Sequence, residues 1–241
     1  LTPDPPPDLL QPIIELYQQQ KLEDAAKAAD QLLTQFPNST TLLNLQGACY
    51  GQLQQYEPAI ACFEQILKID SENTEALNNM GSAYKDKGML RDAIESYERA
   101  INLRPDYAEA HSNKAIVLCE LGEFNNAIHH CQNALAFSPS NYLIHLTMSL
   151  AYWRMSSPQK AVACCQKVLE RDAQNVKALQ NMAGFMEATG QLKGALEQHL
   201  KILEIEPNNR TSKIRVCHIN QYLCDWRYDK EYRQIYQSNF R

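Results

Sequence analysis

No apolar run in these 241 residues approaches the roughly 18 consecutive residues that a membrane-spanning helix needs, so no membrane partner is expected. Nor is there a cluster of lysine and arginine. With a net charge of −5, the chain offers no basic stripe, and nucleic acid is not an expected partner. Eight cysteines are present, yet none forms a CxxC pair. Most sit where a helical pattern expects a small apolar residue, a role that reduced cysteine fills. A reducing, cytoplasmic setting is the simplest context. The numbering opens at Leu1 rather than Met, so an upstream targeting segment could have been removed. Phosphate loops, GxSxG elbows and paired acid–base constellations are also missing, so no active site and no cofactor are expected. Cys217, His218 and Cys224 match no standard zinc spacing, and His129 and His130 are adjacent rather than i, i+4, so no metal site is expected either.

What the chain does have is a period. Ala25, Ala59, Ala93, Ala127, Ala161 and Ala195 stand 34 residues apart, and a proline recurs with them at Pro37, Pro105, Pro139 and Pro207. A short internal period of this kind marks a stacked array of one supersecondary unit. In residues 74–107, Leu77, Met80, Gly81 and Tyr84 recur at helical spacing, the mark of one buried face. Gly88 suits the left-handed residue that ends a helix. A second helix carries Ala93, Tyr97 and Ala100 inward, and Pro105 stops it. Small residues at the Gly81 and Ala93 positions let antiparallel helices approach closely. The Gly81 position is Gly47, Ala115, Ser149 and Ala183 elsewhere; only the first unit departs, with Ile13, as a terminal repeat is expected to do. His111 and His145 share the Leu77 position, so they read as packing residues rather than ligands.

These positions resemble the tetratricopeptide repeat (TPR). The match spans six units, 6–39, 40–73, 74–107, 108–141, 142–175 and 176–209, after a proline-rich lead-in at 1–5 and before capping or junction helices at 210–241. The resemblance implies an all-α fold, a right-handed superhelix of helix pairs whose first helices line a concave groove. It implies a polypeptide or protein ligand there. On the first helices, the packing pattern leaves Asn78, Asn79, Ser82 and Lys85 facing the groove. Its later members are Asn113, Glu120, Thr147, Trp153, Arg154, Lys177 and Asn181. Asn79, Asn113 and Asn181 share one position, and an amide can both donate to and accept from a peptide backbone whatever the side chain. A merely solvated groove would need the same polar residues. No lysine–arginine cluster exists to clamp a terminal carboxylate. The fifth unit instead exposes an apolar stripe, Leu143, Leu146, Leu150 and Trp153, and such patches mark contacts.

The tail departs from the repeat. Val216, Ile219 and Leu223 are expected to dock on the sixth unit. The stretch 216–236, with Cys224-Asp225-Trp226 at its centre, resembles the junction after the repeats of O-GlcNAc transferases and SPINDLY-type proteins. That resemblance implies the substrate-recruiting region of a larger glycosyltransferase, with catalysis beyond Arg241. A self-contained adaptor, or the repeat region of a sulfotransferase or methyltransferase, stays open beside it. Tyr228, Tyr232, Ile235, Tyr236 and Phe240 form a helical apolar stripe behind Trp226. It is expected to meet a further domain or to self-associate, giving a homodimer.

Overall fold

The computed structural model describes residues 4–223. Thirteen helices fill this span, and no strand occurs among the described residues. They are α1 (Pro7–Gln18), α2 (Leu22–Leu33), α3 (Thr40–Gln52), α4 (Tyr56–Ile69), α5 (Thr74–Asp86), α6 (Leu90–Leu103), α7 (Ala108–Glu120), α8 (Phe124–Phe137), α9 (Ile144–Arg154), α10 (Pro158–Leu169), α11 (Val176–Ala188), α12 (Leu192–Ile205) and α13 (Arg210–Tyr222). The chain divides into two compact units, Leu1–Gly122 and Glu123–Arg241.

In unit 1 each even-numbered helix packs on the odd-numbered ones before and after it, and α1, α3, α5 and α7 touch in succession. In unit 2 the same holds for α8 to α13, with α9 against α11. The odd-numbered helices are thus the first helices of successive repeats, and they share one side of each unit.

The punctuation between helices is regular. Gly88, Gly122 and Gly190 adopt φ of +86°, +81° and +77°. Gln20, Gln54 and Ser156, at the same repeat position, take φ of 60°, 59° and 54° although they carry side chains. The turn therefore demands the left-handed conformation whatever residue occupies it. At helix starts, Ser39, Asn73, Asn175 and Asn209 accept a hydrogen bond from the amide three residues on, closing α3, α5, α11 and α13. The fifth repeat differs. Asn141 does not cap there, Tyr142 turns back to the Ser140 carbonyl at 2.9 Å, and α9 begins at Ile144.

The six periodic alanines are all fully buried. The Gly81 position answers to a residue 16 later, on the second helix. A Cβ on Gly81 would lie 2.7 Å from the Tyr97 ring, and one on Gly47 would lie 2.7 Å from the Phe63 ring. Glycine here makes room for an aromatic ring rather than only for a close approach of axes. Elsewhere the volumes trade: Ser149 stands with Cys165, Ala183 with His199, and Ile13 with Ala29. Ile13 is therefore not a loose terminal residue. It fills the space that Ala29 leaves, and is itself buried.

Five cysteines, Cys49, Cys62, Cys131, Cys164 and Cys165, are buried, and burial pushes the Cys62 and Cys164 thiols up to about 11. Among the described residues no helix is long and apolar enough to cross a membrane, and no three His, Cys, Asp or Glu side chains gather as metal ligands.

Candidate functional site

In unit 1 the exposed side of the first helices is built around asparagine. The Asn79 amide on α5 donates to the Asn44 carbonyl oxygen on α3 at 2.9 Å, and the Asn113 amide on α7 donates to that of Asn78 on α5 at 3.0 Å. Both bonds join residues 35 apart, so one rung repeats from each first helix to the next. Asn78 also donates to Glu109 at 3.1 Å and lies 3.5 Å from the Asn79 oxygen. These bonds bury it: Asn78 is 1% exposed and does not face open solvent as its register suggests, because α7 brings Glu109 and Asn113 over it. Asn79 and Asn113 remain half-buried, at the surface of the seam.

Around this seam acidic side chains outnumber basic ones. Glu75, Asp86, Glu109 and Glu120 are exposed, while Lys85 is held by Asp86 at 3.1 Å. A polar depression of about 200 Å³ beside the Asn44 rung is lined by Thr40, Thr41, Asn44, Ile66, Asn73 and Glu75. Ser82 does not offer its hydroxyl outward. It meets the Tyr97 hydroxyl at 3.1 Å and donates to the backbone carbonyl of Asn78 at 3.2 Å. Burial drives the Tyr97 phenol up to about 12, against the lowering effect of Ser82. His111, at the Leu77 position, is buried with its Nε2 3.0 Å from the Pro105 carbonyl oxygen.

Unit 2 presents a different face. Leu143 and Leu150 are 45% and 43% exposed. Trp153 is half-buried because its ring stacks on Phe185 of α11, with centroids 4.6 Å apart and planes at 20°. Arg154 and Lys177 are exposed, and Thr147 is half-buried. Asn181 occupies the Asn79 position, yet its buried Nδ2 has no hydrogen-bond partner. The reason lies 35 residues earlier: where unit 1 places Asn44 and Asn78, unit 2 places Leu146, which cannot accept.

The end of the array carries a network the sequence patterns missed. His199 of α12 lies with Nε2 2.8 Å from Glu187 of α11 and Nδ1 3.2 Å from the Ser212 hydroxyl of α13. Arg215 of α13 reaches the other Glu187 oxygen at 3.4 Å. A serine, histidine and carboxylate in line invite a nucleophile reading, but Ser212 is 1% exposed, so no substrate reaches its hydroxyl. The network ties α11, α12 and α13 together. His199 occupies the Tyr97 position, which is the signal that could have exposed it. Val216 and Ile219 of α13 are buried against the repeat and Leu223 is half-buried. Trp226, Tyr228, Tyr232, Ile235, Tyr236 and Phe240 lie outside the described residues, as does Cys224.

Helix pairs in a 34-residue register, with the exposed sides of the first helices carrying distinctive chemistry, define a helical repeat protein. The family is also clear. Models described as TPR repeat match residues 47–88 and 81–122, and models described as tetratricopeptide repeat match 14–39 and 143–175, together more than half the chain. The chain is a tetratricopeptide repeat protein. No curated protein matches it at a significant level. Among solved structures it is similar in fold to PilW, a widely conserved type IV pilus biogenesis factor, with TM-score 0.74 and 23% identity, covering 83% of this chain and 93% of that one. It is also similar to a thermophilic TPR protein of Thermus thermophilus, with TM-score 0.62 and 20% identity over 74% and 97% of the two chains. YrrB, a TPR protein with an unusual peptide-binding site, aligns with TM-score 0.61 and 18% identity over 81% and 99%.

Proposed function

We propose that the chain is a scaffold that holds extended polypeptide on the exposed sides of its first helices, with the asparagine seam of unit 1 as the principal contact. The observation that carries this is the repeated rung, Asn79 to Asn44 and Asn113 to Asn78. Each rung fixes an amide in place before any ligand arrives. Asn78 lies beneath the surface, but the half-buried Asn79 and Asn113 each keep a second NH₂ proton and a carbonyl lone pair, which suit the C=O and N–H groups of an extended chain. Pre-set amides lose little freedom on binding, which favours affinity without sequence preference. Unit 1 carries nine Lys and Arg against eighteen Asp and Glu, so it would repel nucleic acid rather than hold it. The peptide-binding site attributed to YrrB, a protein of similar fold, supports the same reading.

Twelve-residue peptides selected on the chain from a displayed library test it. Those that bind unit 1 should lose about tenfold in affinity to the Asn79→Ala/Asn113→Ala variant, since each lost hydrogen bond removes about 0.5–1.5 kcal/mol. Selected peptides that bind the double variant as tightly as the natural chain would overturn the reading.

A second reading has its own observation, the Cys224-Asp225-Trp226 element and the stretch around it. On this reading the repeats recruit protein substrates for an O-GlcNAc-transferase-like enzyme; a sulfotransferase or methyltransferase would use them in the same way. The stripe from Trp226 to Phe240 would then meet the catalytic region, or a second copy in a homodimer. The reading frame downstream of Arg241 decides it, together with a transfer assay using a nucleotide sugar on the product of that frame.

A further inference from the structure

The two units carry opposite chemistry on corresponding sides. Residues 123–223 hold ten Lys and Arg against seven Asp and Glu, the reverse of unit 1. On α9 and just before it, Leu143 and Leu150 are exposed two helical turns apart, and Arg154 follows Leu150 by one turn. Lys177, one repeat later than Leu143, extends the basic edge onto α11. Gly184 opens the middle of α11, where an added Cβ would meet nothing within 4 Å. The carboxylate on this side, Glu187, is already engaged by His199 and Arg215. Arg154 and Lys177 have no acidic partner among the ion pairs of the described residues.

We propose that unit 2 takes a polypeptide segment in which aliphatic or aromatic side chains are flanked by carboxylates, seated across α9 and α11. Its apolar residues cover Leu143 and Leu150, and its acids meet Arg154 and Lys177. Charge complementarity sets this choice of partner. A basic segment would meet like charge at both edges, and a wholly polar one would leave the two leucines in water. The stacked Trp153–Phe185 pair makes the floor rigid, so binding needs little rearrangement. This inference rests on the reading that first-helix sides hold polypeptide, and adds the chemistry that one of them selects.

Three labelled 14-residue peptides, alternating Leu/Glu, Leu/Lys and Ser/Glu, test it by fluorescence anisotropy against the natural chain and the Leu143→Ser/Leu150→Ser variant. Both leucines are exposed, and serine at position 143 can only help to cap α9, so helicity should hold and melting should not fall, which circular dichroism checks. The Leu/Glu peptide should lose about tenfold in affinity to the variant and the other two less than twofold. Arg154→Glu/Lys177→Glu should weaken Leu/Glu binding by about tenfold, with a shallower dependence on salt. If Leu/Lys loses as much as Leu/Glu, or Leu/Glu loses nothing, the inference is overturned while polypeptide holding in unit 1 stands. If no peptide, these or library-selected, binds the natural chain, the underlying reading falls as well. A doubled mass in sedimentation, abolished by the leucine variant, would make a second copy the occupant and overturn the proposal.

Discussion

At the scale of single residues, the fold turns on pairs of positions that trade volume. Gly81 and Tyr97, Gly47 and Phe63, Ile13 and Ala29 all fill one recurring space between the two helices of a repeat. Gly81→Ser should cost about 1–3 kcal/mol, because its side chain would enter the Tyr97 ring. Tyr97→Cys should cost about 3–5 kcal/mol through the cavity it leaves. Together they reproduce the Ser149–Cys165 pair of unit 2, in which both residues are buried and the serine hydroxyl donates to the Leu146 backbone carbonyl at 2.7 Å. The double variant should therefore be more stable than the sum of the single changes allows, by at least about 1 kcal/mol. Urea unfolding of the four proteins measures it, and strict additivity would show that the two positions do not share a space.

At the scale of helices, the 34-residue period anticipates the left-handed turns at Gly88, Gly122 and Gly190, because glycine recurs where sterics demand it, but not the late start of α9 at Ile144. The left-handed turns at Gln20, Gln54 and Ser156 were legible only through their glycine counterparts; nothing in a glutamine announces a positive φ. The asparagine seam was legible as a repeated position but not as a set of rungs. Its bonds join residues 35 apart, one more than the period, so they pass between neighbouring first helices and not within a repeat. A pattern of buried and exposed positions says which side a residue occupies, not which amide turns toward which. That missing detail yields a test in unit 2, where Asn181 lacks its rung because Leu146 replaces the acceptor. Leu146→Asn should supply it. Combined with Asn181→Ala in a double-mutant cycle, it should reveal a favourable coupling of about 1 kcal/mol, the value of one recovered hydrogen bond. Asn181→Ala alone should be neutral or stabilising, since an unpaired buried donor is removed. Zero coupling would mean that α9 and α11 do not share the register of α3 and α5.

At the scale of the whole molecule, stability in a repeat array is close to a sum of local terms, so weak points need not be averaged away. Unit 1 joins its first helices by amide rungs and places Lys114 against Glu98 at 2.8 Å and Lys87 against Glu57 at 2.9 Å. Unit 2 carries the buried and unpaired His145 Nδ1, Asn181 Nδ2, Gln198 Oε1 and Asn220 Oδ1, whereas the described part of unit 1 carries Arg104 Nε. Each such group weakens its surroundings by about 1–3 kcal/mol. The His199 network opposes this at the far end by binding α11, α12 and α13 to one another. The balance still favours local opening in unit 2, centred on α9, which lacks the side-chain cap of α3, α5, α11 and α13 and exposes Leu150, with Leu143 exposed just before it. Native-state hydrogen exchange should therefore show the amides of α9 and α10 exchanging through openings of lower free energy than those of α4 to α6. A peptide bound to Leu143 and Leu150 should slow exchange in α9 and α11 first. Uniform protection across both units, or α5 opening before α9, would show that the unpaired groups do not set where the array loosens.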